Sequence, residues 1–407
     1  MKTIDFDYFL PDDRIAAFPA TQRDGSRLLR MDRTGGAPIH TKFAMLGAEL
    51  PPASLIVLND TRVIPARLRG RKSTGGAIEL LLTRRMESSG DAVEMDWEAL
   101  GRNLGWAGVG AELAFDGGLV AQIRRRGEAG AVEVRLRAPA GQTVMQMIER
   151  VGELPLPPYI EAARRESARQ RGGADVALAS DKIDADNIGA DEVCGRDAAA
   201  LDRDRYQTVF ATAAGTVAAP TAGLHFTEDL LMRLQAEGHR IVRLTLHVGL
   251  GTFRPVKADT LDEHEMQSEV YTIPTATAVA VNDARRNGRP IVAVGTTVVR
   301  ALESSAQALL ARDQTGQGGQ GGQGGQRDQS DVVLPGTAAS RLFLRPGSQF
   351  HVVTDLITNF HLPRSTLLML VSAFAGRENI LAAYAEAIAS QYRFYSYGDA
   401  MLIRGTP

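Results

Sequence analysis

The sequence has a single cysteine among its 407 residues, Cys194, so no disulfide can form within the chain. It also lacks a GxGxxG motif or a P-loop lysine after a predicted strand, which argues against the common dinucleotide- and triphosphate-binding folds. The longest apolar stretch, around residues 367–375, is far shorter than the ~20 residues of a membrane helix. The start, MKTIDFDYFL, has no secretory signal pattern. These absences predict a cytoplasmic protein with no membrane partner.

The chain has 46 Lys and Arg residues and 48 Asp and Glu residues, so the two signs of charge nearly balance and its net charge is −2. The whole chain therefore gives no electrostatic case for nucleic acid, and an RNA partner would have to meet a local patch. The apolar content of 44% is enough for a large core, and the length predicts two domains.

The hydrophobic pattern changes along the chain and predicts an α/β protein with an inserted β domain. Between residues 63 and 151, short alternating segments such as AIELLLTRR and AVEVRLRAP predict a small all-β barrel or sandwich. Residues 1–62 and 152–407 predict one large mixed α/β catalytic domain that this barrel-like domain interrupts. Residues 161–204, which have little periodic apolar content, are predicted to be a flexible insertion that is disordered or loosely helical. Residues 314–330, a Gly-Gln repeat, are predicted to be a second flexible insertion.

Residues 217–254 hold the densest set of chemically capable side chains. Thr227 followed by two acids predicts a helix start, Gly238 a helix end, and residues 241–248 a strand with His247 at its end. Ligands usually bind at such strand ends in open α/β sheets. A histidine there is more often structural, but two histidines around one helix with HxGxGT after the second make both interpretations about equal. The candidate residues of this unit are Thr221, His225, His247, Gly249, Gly251 and Thr252.

Three other predicted strands also end in polar residues. NDTR follows the strand candidate at 55–58, although Asn-Asp after a strand commonly forms only a turn hydrogen bond. PIVAVGTTVVRALES predicts a strand, a Gly-Thr-Thr loop and a helix, where backbone and hydroxyl donors can approach a ligand. TNFHLPRS places an amide and an imidazole before an apolar helix. The candidates are Asn59, Asp60, Thr61, Arg62, Gly295, Thr296, Thr297, Asn359 and His361.

A basic run begins at Arg62 and continues through the start of the barrel-like domain without an acidic residue. Residues 61–137 carry 13 basic and 10 acidic side chains. Two interpretations remain open: solvated strand faces, or a surface that follows phosphates and loses affinity in salt. The candidate RNA-binding residues are Arg67, Arg69, Arg71 and Lys72.

The segments AAPTAGLHFT and TLHVGLGTFRPV strongly resemble the S-adenosylmethionine:tRNA ribosyltransferase-isomerase family of queuosine biosynthesis. GTTVVRALES, the N-terminal SRLL and the C-terminal blocks resemble it too, so matching segments extend from Asp5 to Ile403 apart from the two insertions. One departure lies in DEHEMQSEVY, where Gln267 stands in place of the second histidine of the family pattern HxMHxE.

The resemblance implies a reaction in which the ribosyl part of S-adenosylmethionine is transferred to 7-aminomethyl-7-deazaguanine at the wobble position of tRNA. Its rearrangement gives epoxyqueuosine, and adenine and methionine leave. S-adenosylmethionine is then a co-substrate, no metal is expected, tRNA carrying the precursor base is the partner, and a monomer is the family expectation.

That chemistry needs a base beside the sulfonium and an acid for adenine, and histidine suits both. His225 and His247 are therefore the candidates for proton transfer, with Glu269 or Asp60 near the ribose as a stabilising carboxylate. Tyr392, Phe394 and Tyr397 either stack on RNA bases or belong to a buried terminal strand. His239 is expected at the surface.

Two other functions compete with this one. A methyltransferase would release S-adenosylhomocysteine, and a non-catalytic RNA-binding protein would leave S-adenosylmethionine intact.

Overall fold

The computed structural model describes residues 1–86, 92–170, 195–249, 256–314 and 331–405. Its strands are β1 (Arg27–Asp32), β2 (Ile39–Lys42), β3 (Leu55–Asn59), β4 (Thr61–Val63), β5 (Arg67–Lys72), β6 (Ala77–Arg85), β7 (Glu94–Arg102), β8 (Glu112–Phe115), β9 (Val120–Arg126), β10 (Ala131–Arg137), β11 (Ala213–Thr216), β12 (Arg240–Leu246), β13 (Glu269–Ile273), β14 (Ile291–Val294), β15 (Gly336–Ser340), β16 (Asp355–Asn359) and β17 (Ala400–Arg404). Its α-helices are α1 (Leu46–Glu49), α2 (Val144–Val151), α3 (Pro158–Gln170), α4 (Gly195–Arg205), α5 (Glu228–Ala236), α6 (Thr275–Arg286), α7 (Thr296–Gln314), α8 (Thr366–Ala375) and α9 (Arg377–Ala389).

A nine-stranded mixed sheet forms the larger body, in the order β15-β13-β12-β3-β14-β16-β17-β1-β2. Its centre is parallel: β12, β3, β14 and β16 run in one direction. β3, β14 and β16 are buried along their whole length, which their short apolar segments allow because central parallel strands are covered on both faces. The four carboxyl ends consequently lie along one edge of the sheet.

Local signals fix the helices around this sheet. The Thr227 hydroxyl accepts a hydrogen bond from the backbone N–H of Leu230 at 3.1 Å and caps α5, which ends shortly before Gly238 at φ +91°. Ser365 caps α8 in the same way through the N–H of Leu368, at 3.2 Å. Both helix starts confirm the sequence prediction.

The inserted β region closes into a six-stranded antiparallel barrel in the order β10-β7-β6-β5-β8-β9. Alternate residues point inwards, as the pattern of β6 shows, and the interior is filled by side chains such as Leu80, Trp97, Ile123 and Val134. The structure thus confirms the mixed α/β fold with a small barrel. The domain limits at residues 62, 63, 151 and 152 stay a prediction.

The barrel has a near end and a far end. At the near end, Arg67 and Glu153 exchange backbone hydrogen bonds of 3.0 and 2.9 Å where the chain enters and leaves the barrel. The far end carries three connections: residues 73–76 between β5 and β6, 103–111 between β7 and β8, and 127–130 between β9 and β10. The chain enters the barrel from β3 through β4, at the carboxyl edge of the large sheet.

The predicted insertion at 161–204 is helical at both of its ends. α3 and α4 occupy them, and the Arg164 guanidinium binds both carboxylate oxygens of Asp202 at 2.7 Å. This bidentate pair joins the two helices, whose sequences have little apolar periodicity. Residues 171–194 and 315–330, including Cys194 and nearly all of the Gly-Gln repeat, lie outside the described residues.

The C-terminal aromatic residues and His239 all lie in the interior of the protein. Tyr392, Phe394 and Tyr397 are buried, as core residues are, although the strand that follows them, β17, begins only at Ala400. His239 is only 6% exposed, so its expected place at the surface was wrong. The turn after α5 packs back onto the start of β12, where the His239 N–H donates to the Leu234 carbonyl at 3.0 Å.

In the described parts of the chain, no single helix is long and apolar enough to cross a membrane. Only α8 and α9 taken together, bent by 112°, meet the criteria of length and composition.

Candidate active site

Polar residues from separate motifs meet along the carboxyl edge of the sheet. Asn59 ends β3, His247 follows β12, Gly295 follows β14 and Asn359 ends β16. β13 runs antiparallel to β12, so its first residue, Glu269, reaches the same edge. Parallel strands place their carboxyl ends together, and this brings residues 300 positions apart in sequence to one surface.

Asn59 joins three of these strand ends through its buried amide. Its Nδ2 donates to the Leu246 carbonyl at 3.0 Å and to the Thr297 hydroxyl at 3.3 Å. Its Oδ1 accepts from the N–H groups of Leu246, at 3.0 Å, and Thr61, at 3.2 Å. The bond to Thr61 is the turn hydrogen bond that Asn after a strand commonly forms, so Asn59 shapes the edge of the sheet.

His247 has one ring nitrogen held by the protein. Its Nδ1 lies 3.1 Å from the Thr61 hydroxyl, whereas its Nε2 has no hydrogen-bond partner among the residues the structure describes. Gly215, at φ +140°, lies behind the ring, and a Cβ there would come within 3.2 Å of the His247 Cε1. Burial lowers the pKa of His247 below its ordinary 6.5, and the nearby Asp60 carboxylate opposes this. The imidazole is therefore neutral at pH 7 and able to accept a proton.

Asp60 is held beside His247 by two hydroxyl groups. Thr245 donates to its Oδ1 at 2.7 Å and Thr212 to its Oδ2 at 2.8 Å. Both threonines come from outside the NDTR segment, on β12 and just before β11. These two hydrogen bonds fix the orientation of the Asp60 carboxylate at the carboxyl edge of the sheet.

Glu269 pairs with a buried cation that sequence reasoning did not select. Its Oε2 accepts from Arg300 Nη1, and its Oε1 accepts from the N–H of Gly249 at 3.1 Å. Both side chains are 4% exposed. Arg300 Nε and Nη2 are buried without a partner in the described structure, so two charged donors remain for another acceptor. The sequence contains one sign of this role: Arg300 stands between Val299 and Ala301 in an otherwise apolar stretch of the helix.

His225 is held at both ring nitrogens. Ser26 Oγ lies 2.8 Å from Nδ1, Asn359 Nδ2 lies 3.2 Å from Nε2, and the Phe43 ring stacks on the imidazole at 5.0 Å. Burial lowers the pKa of His225 to about 4. Asn359 can only donate through Nδ2, so Nε2 is the acceptor and Nδ1 carries the proton. The strands that lead to His247 and Asn359 are three spacings apart, roughly 14 Å.

Asn359 and His361 connect the end of β16 to the surrounding loops. Asn359 Oδ1 accepts from the Thr221 hydroxyl at 2.8 Å. His361 Nε2 bonds the Thr358 hydroxyl at 2.7 Å, and burial lowers the pKa of His361 to about 3. His361 is therefore a buried, neutral residue at the end of β16.

The GTT loop begins α7 at the edge. Gly295 has φ +91°, and its N–H donates to the Ile357 carbonyl at 2.8 Å. Thr296 and Thr297 are buried at the first turn of α7. Two further candidates, Gly251 and Thr252, lie outside the described residues.

The predicted basic run does not form one free surface. Arg62 pairs with Glu149 at 2.6 Å, Arg67 with Glu161 at 2.8 Å and Arg69 with Glu153 at 3.1 Å. Arg71 and Lys72 lie at the far end of the barrel and bind the carbonyl groups of Gly75 and Asn103. The role of these residues in RNA binding stays a prediction.

Among the described residues, no group of three or more His, Cys, Asp or Glu side chains is arranged to hold a metal ion.

A mixed sheet whose carboxyl edge gathers histidines, carboxylates and a buried guanidinium has the arrangement of an α/β enzyme with a binding site at its strand ends. The family model described as "Queuosine biosynthesis protein" matches residues 3–403. The chain belongs to this family.

Two full-length relatives agree with that assignment. A protein of Sorangium cellulosum named S-adenosylmethionine:tRNA ribosyltransferase-isomerase is 44% identical over 98% of this chain and 97% of its own length. A protein of Geotalea uraniireducens with the same name is 42% identical over 99% of this chain and 100% of its own. The crystal structure of an S-adenosylmethionine tRNA ribosyltransferase from Thermotoga maritima is 31% identical, covers 98% of this chain and 99% of that one, and superposes with a TM-score of 0.47.

Proposed function

We propose that this protein transfers and isomerises the ribosyl moiety of S-adenosylmethionine onto 7-aminomethyl-7-deazaguanine at the tRNA wobble position. The products are epoxyqueuosine-tRNA, adenine and methionine. Family membership over almost the whole chain supports this reaction. The observation at the site that carries it is His247, a neutral imidazole whose Nε2 is not used by the described protein groups.

His247 is the residue we assign to proton removal beside the sulfonium. Thr61 holds Nδ1 and so orients the ring, while Asp60 lies close enough to stabilise the imidazolium that forms. His225 has a different task in this proposal, because both of its nitrogens already hold Ser26 and Asn359. It positions Asn359 and, through it, Thr221 for contact with the substrate.

The Glu269 and Arg300 pair supplies charges of both signs at the end of the edge near His247, away from Asn359. The carboxylate of Glu269, adjacent to the Gly249 N–H, can face the positive character of an opening ribose. The spare Nε and Nη2 donors of Arg300 fit the carboxylate of the methionyl group, since guanidinium donors favour such an acceptor. Asn59, Thr296 and Thr297 hold the loops between these two ends.

The RNA substrate reaches the site with its target base in the single-stranded anticodon loop. Such a base can enter a pocket without the opening of a duplex. We infer a monomer that acts in the cytoplasm, where its tRNA substrate is found.

Mass spectrometry of the small products tests the proposal against its two competitors. Incubation with S-adenosylmethionine and precursor-bearing tRNA should release adenine and methionine together, and omission of the tRNA should abolish both. Formation of S-adenosylhomocysteine would show a methyltransferase instead. Intact S-adenosylmethionine in the presence of bound tRNA would show a binding protein.

A further inference from the structure

The far end of the barrel presents a tryptophan that nothing in the fold uses. Trp106 is 102% exposed, at the centre of the connection between β7 and β8. Trp97, the other tryptophan of the chain, is 1% exposed inside the same barrel. A large aromatic side chain in full contact with water contributes nothing to folding, so its position calls for another explanation.

The loop that carries Trp106 is braced from both sides. Arg126 Nη1 donates to the carbonyl groups of Gly105, at 2.8 Å, and Ala107, at 3.0 Å, the two residues that flank the tryptophan. Lys72 Nζ donates to the Asn103 carbonyl at 3.1 Å, and Leu104 is buried in the end of the barrel. These contacts hold the loop while its central side chain points away from the protein.

The surroundings of Trp106 are basic, although Arg125 pairs with Glu133 on β10. The three neighbouring segments, 71–76, 101–111 and 124–130, contain six basic residues and one acidic residue, in a chain whose net charge is −2. Arg102 is 78% exposed and its nearest carboxylate, on Glu79, is 3.7 Å away. Arg71, Arg124 and Arg126 are exposed as well. Cations around an aromatic ring are the features with which proteins bind the phosphates and bases of RNA.

We propose that this far end of the barrel, residues 71–76, 101–111 and 124–130, is a tRNA-docking surface on which Trp106 stacks against an unpaired base while the surrounding cations contact phosphates. The inference rests on the proposed function, which makes tRNA the substrate. β6 has nine residues, and at ~3.3 Å a residue, with the usual strand tilt, the tip lies roughly 25 Å from the near end of the barrel. The surface therefore binds a part of the tRNA remote from the reacting base.

The effect of Trp106 on RNA binding is measured first, without S-adenosylmethionine. Trp106→Ala should weaken the Kd for tRNA by about 5- to 150-fold, the loss expected when one stacked base is released. Trp106→Phe should restore most of the affinity because it keeps an aromatic face. Val279→Ala is the control, since it removes a 56% exposed apolar side chain from α6, outside this surface, and should leave the Kd unchanged.

Fluorescence locates the contact directly. Subtraction of the Trp106→Phe spectrum from that of the wild type isolates the Trp106 emission, which tRNA should quench and protect from iodide. In turnover assays Trp106→Ala should raise the KM for tRNA and leave the kcat and the KM for S-adenosylmethionine unchanged. No quenching, together with a normal Kd for Trp106→Ala, would overturn the proposal.

The charge requirement has its own matched pair of variants. Arg102→Gln should lower the slope of log K against log salt by about 0.7 to 0.9, as expected for one lost phosphate contact. Arg169→Gln is the control, because Arg169 on α3 is 79% exposed and 3.8 Å from Glu166. Equal changes in both variants would overturn the assignment of the cations to this surface.

Two other outcomes are distinguishable. If Trp106→Ala instead converts a dimer to a monomer in light scattering and leaves the Kd for tRNA normal, the far end is an interface between copies and the proposal fails. If the wild type releases no adenine but tRNA still protects Trp106, the proposed reaction fails while the docking surface stands.

Discussion

Replacement of His247 by glutamine separates a catalytic from a structural histidine. Glutamine keeps much of the side-chain volume and can still bond the Thr61 hydroxyl, which lies 3.1 Å from Nδ1 in the wild type. It cannot accept and return a proton at neutral pH. Loss of general acid and base catalysis should lower turnover ~100- to 10,000-fold. Since a hydrogen bond contributes about 1 kcal/mol, the free energy of unfolding should change by no more than that.

Adenine release and thermal unfolding should be measured on the same preparation of His247→Gln. His239→Gln is unsuitable as a surface control because His239 is buried. His40→Gln serves instead, since His40 is exposed on β2, at the opposite side of the sheet from β15, and should have normal turnover. Normal turnover in folded His247→Gln would refute the assignment. A lower melting temperature with an unchanged rate would make His247 structural.

Three further predictions concern other parts of the molecule. Arg300→Lys keeps the positive charge beside Glu269 but removes the two further N–H donors of the guanidinium. The KM for S-adenosylmethionine should therefore rise about 10-fold while the KM for tRNA stays constant. Titration of each substrate measures both values. The buried His225 and His361 have pKa values of about 4 and 3, so the unfolded state binds more protons below pH 6.5. The free energy of unfolding in urea should therefore be constant above pH 6.5 and fall as the pH decreases towards 4, less steeply in His361→Gln. Replacement of residues 314–330 by a short Gly-Ser link should leave turnover near normal, because loop closure changes by only ~0.6 kcal/mol for each doubling of length; a large loss in the folded variant would assign the segment a functional contact.

The edge of the sheet was predictable because its signals are local. An apolar strand ends where the first polar residues begin, so Asn59, His247 and Asn359 could be selected from their own segments. Their partners could not be selected in this way. Asn59 binds Thr297 and Asn359 binds His225 across more than 100 residues of sequence, and only the strand order brings them together.

Charged residues were harder to predict because a charge in the sequence does not reveal its partner. Arg67 and Arg69 alternate along β5 as residues of one exposed face would, yet Glu161 and Glu153, which pair with them, follow the barrel in sequence. Arg300 was missed for the opposite reason. Its helix reads as an ordinary apolar core segment, and the pairing with Glu269 depends on how α7 packs against the sheet.

The different surroundings of the two histidines limit how the protons can move. With a pKa of about 4, His225 would be protonated in about one molecule in a thousand at pH 7, so it is a poor source of a proton for departing adenine. Its protonation would also break the bond from Asn359, because Nε2 could no longer accept. His247 has neither restriction: it is neutral, its Nε2 is open to the described edge, and Asp60 stabilises its charged form. One imidazole that takes the proton beside the sulfonium and then returns it to adenine satisfies both requirements. In that case kcat/KM should decrease only on the acid side, through one ionisation below pH 6.5, and a bell-shaped profile with a second ionisation in the neutral range would require another proton donor.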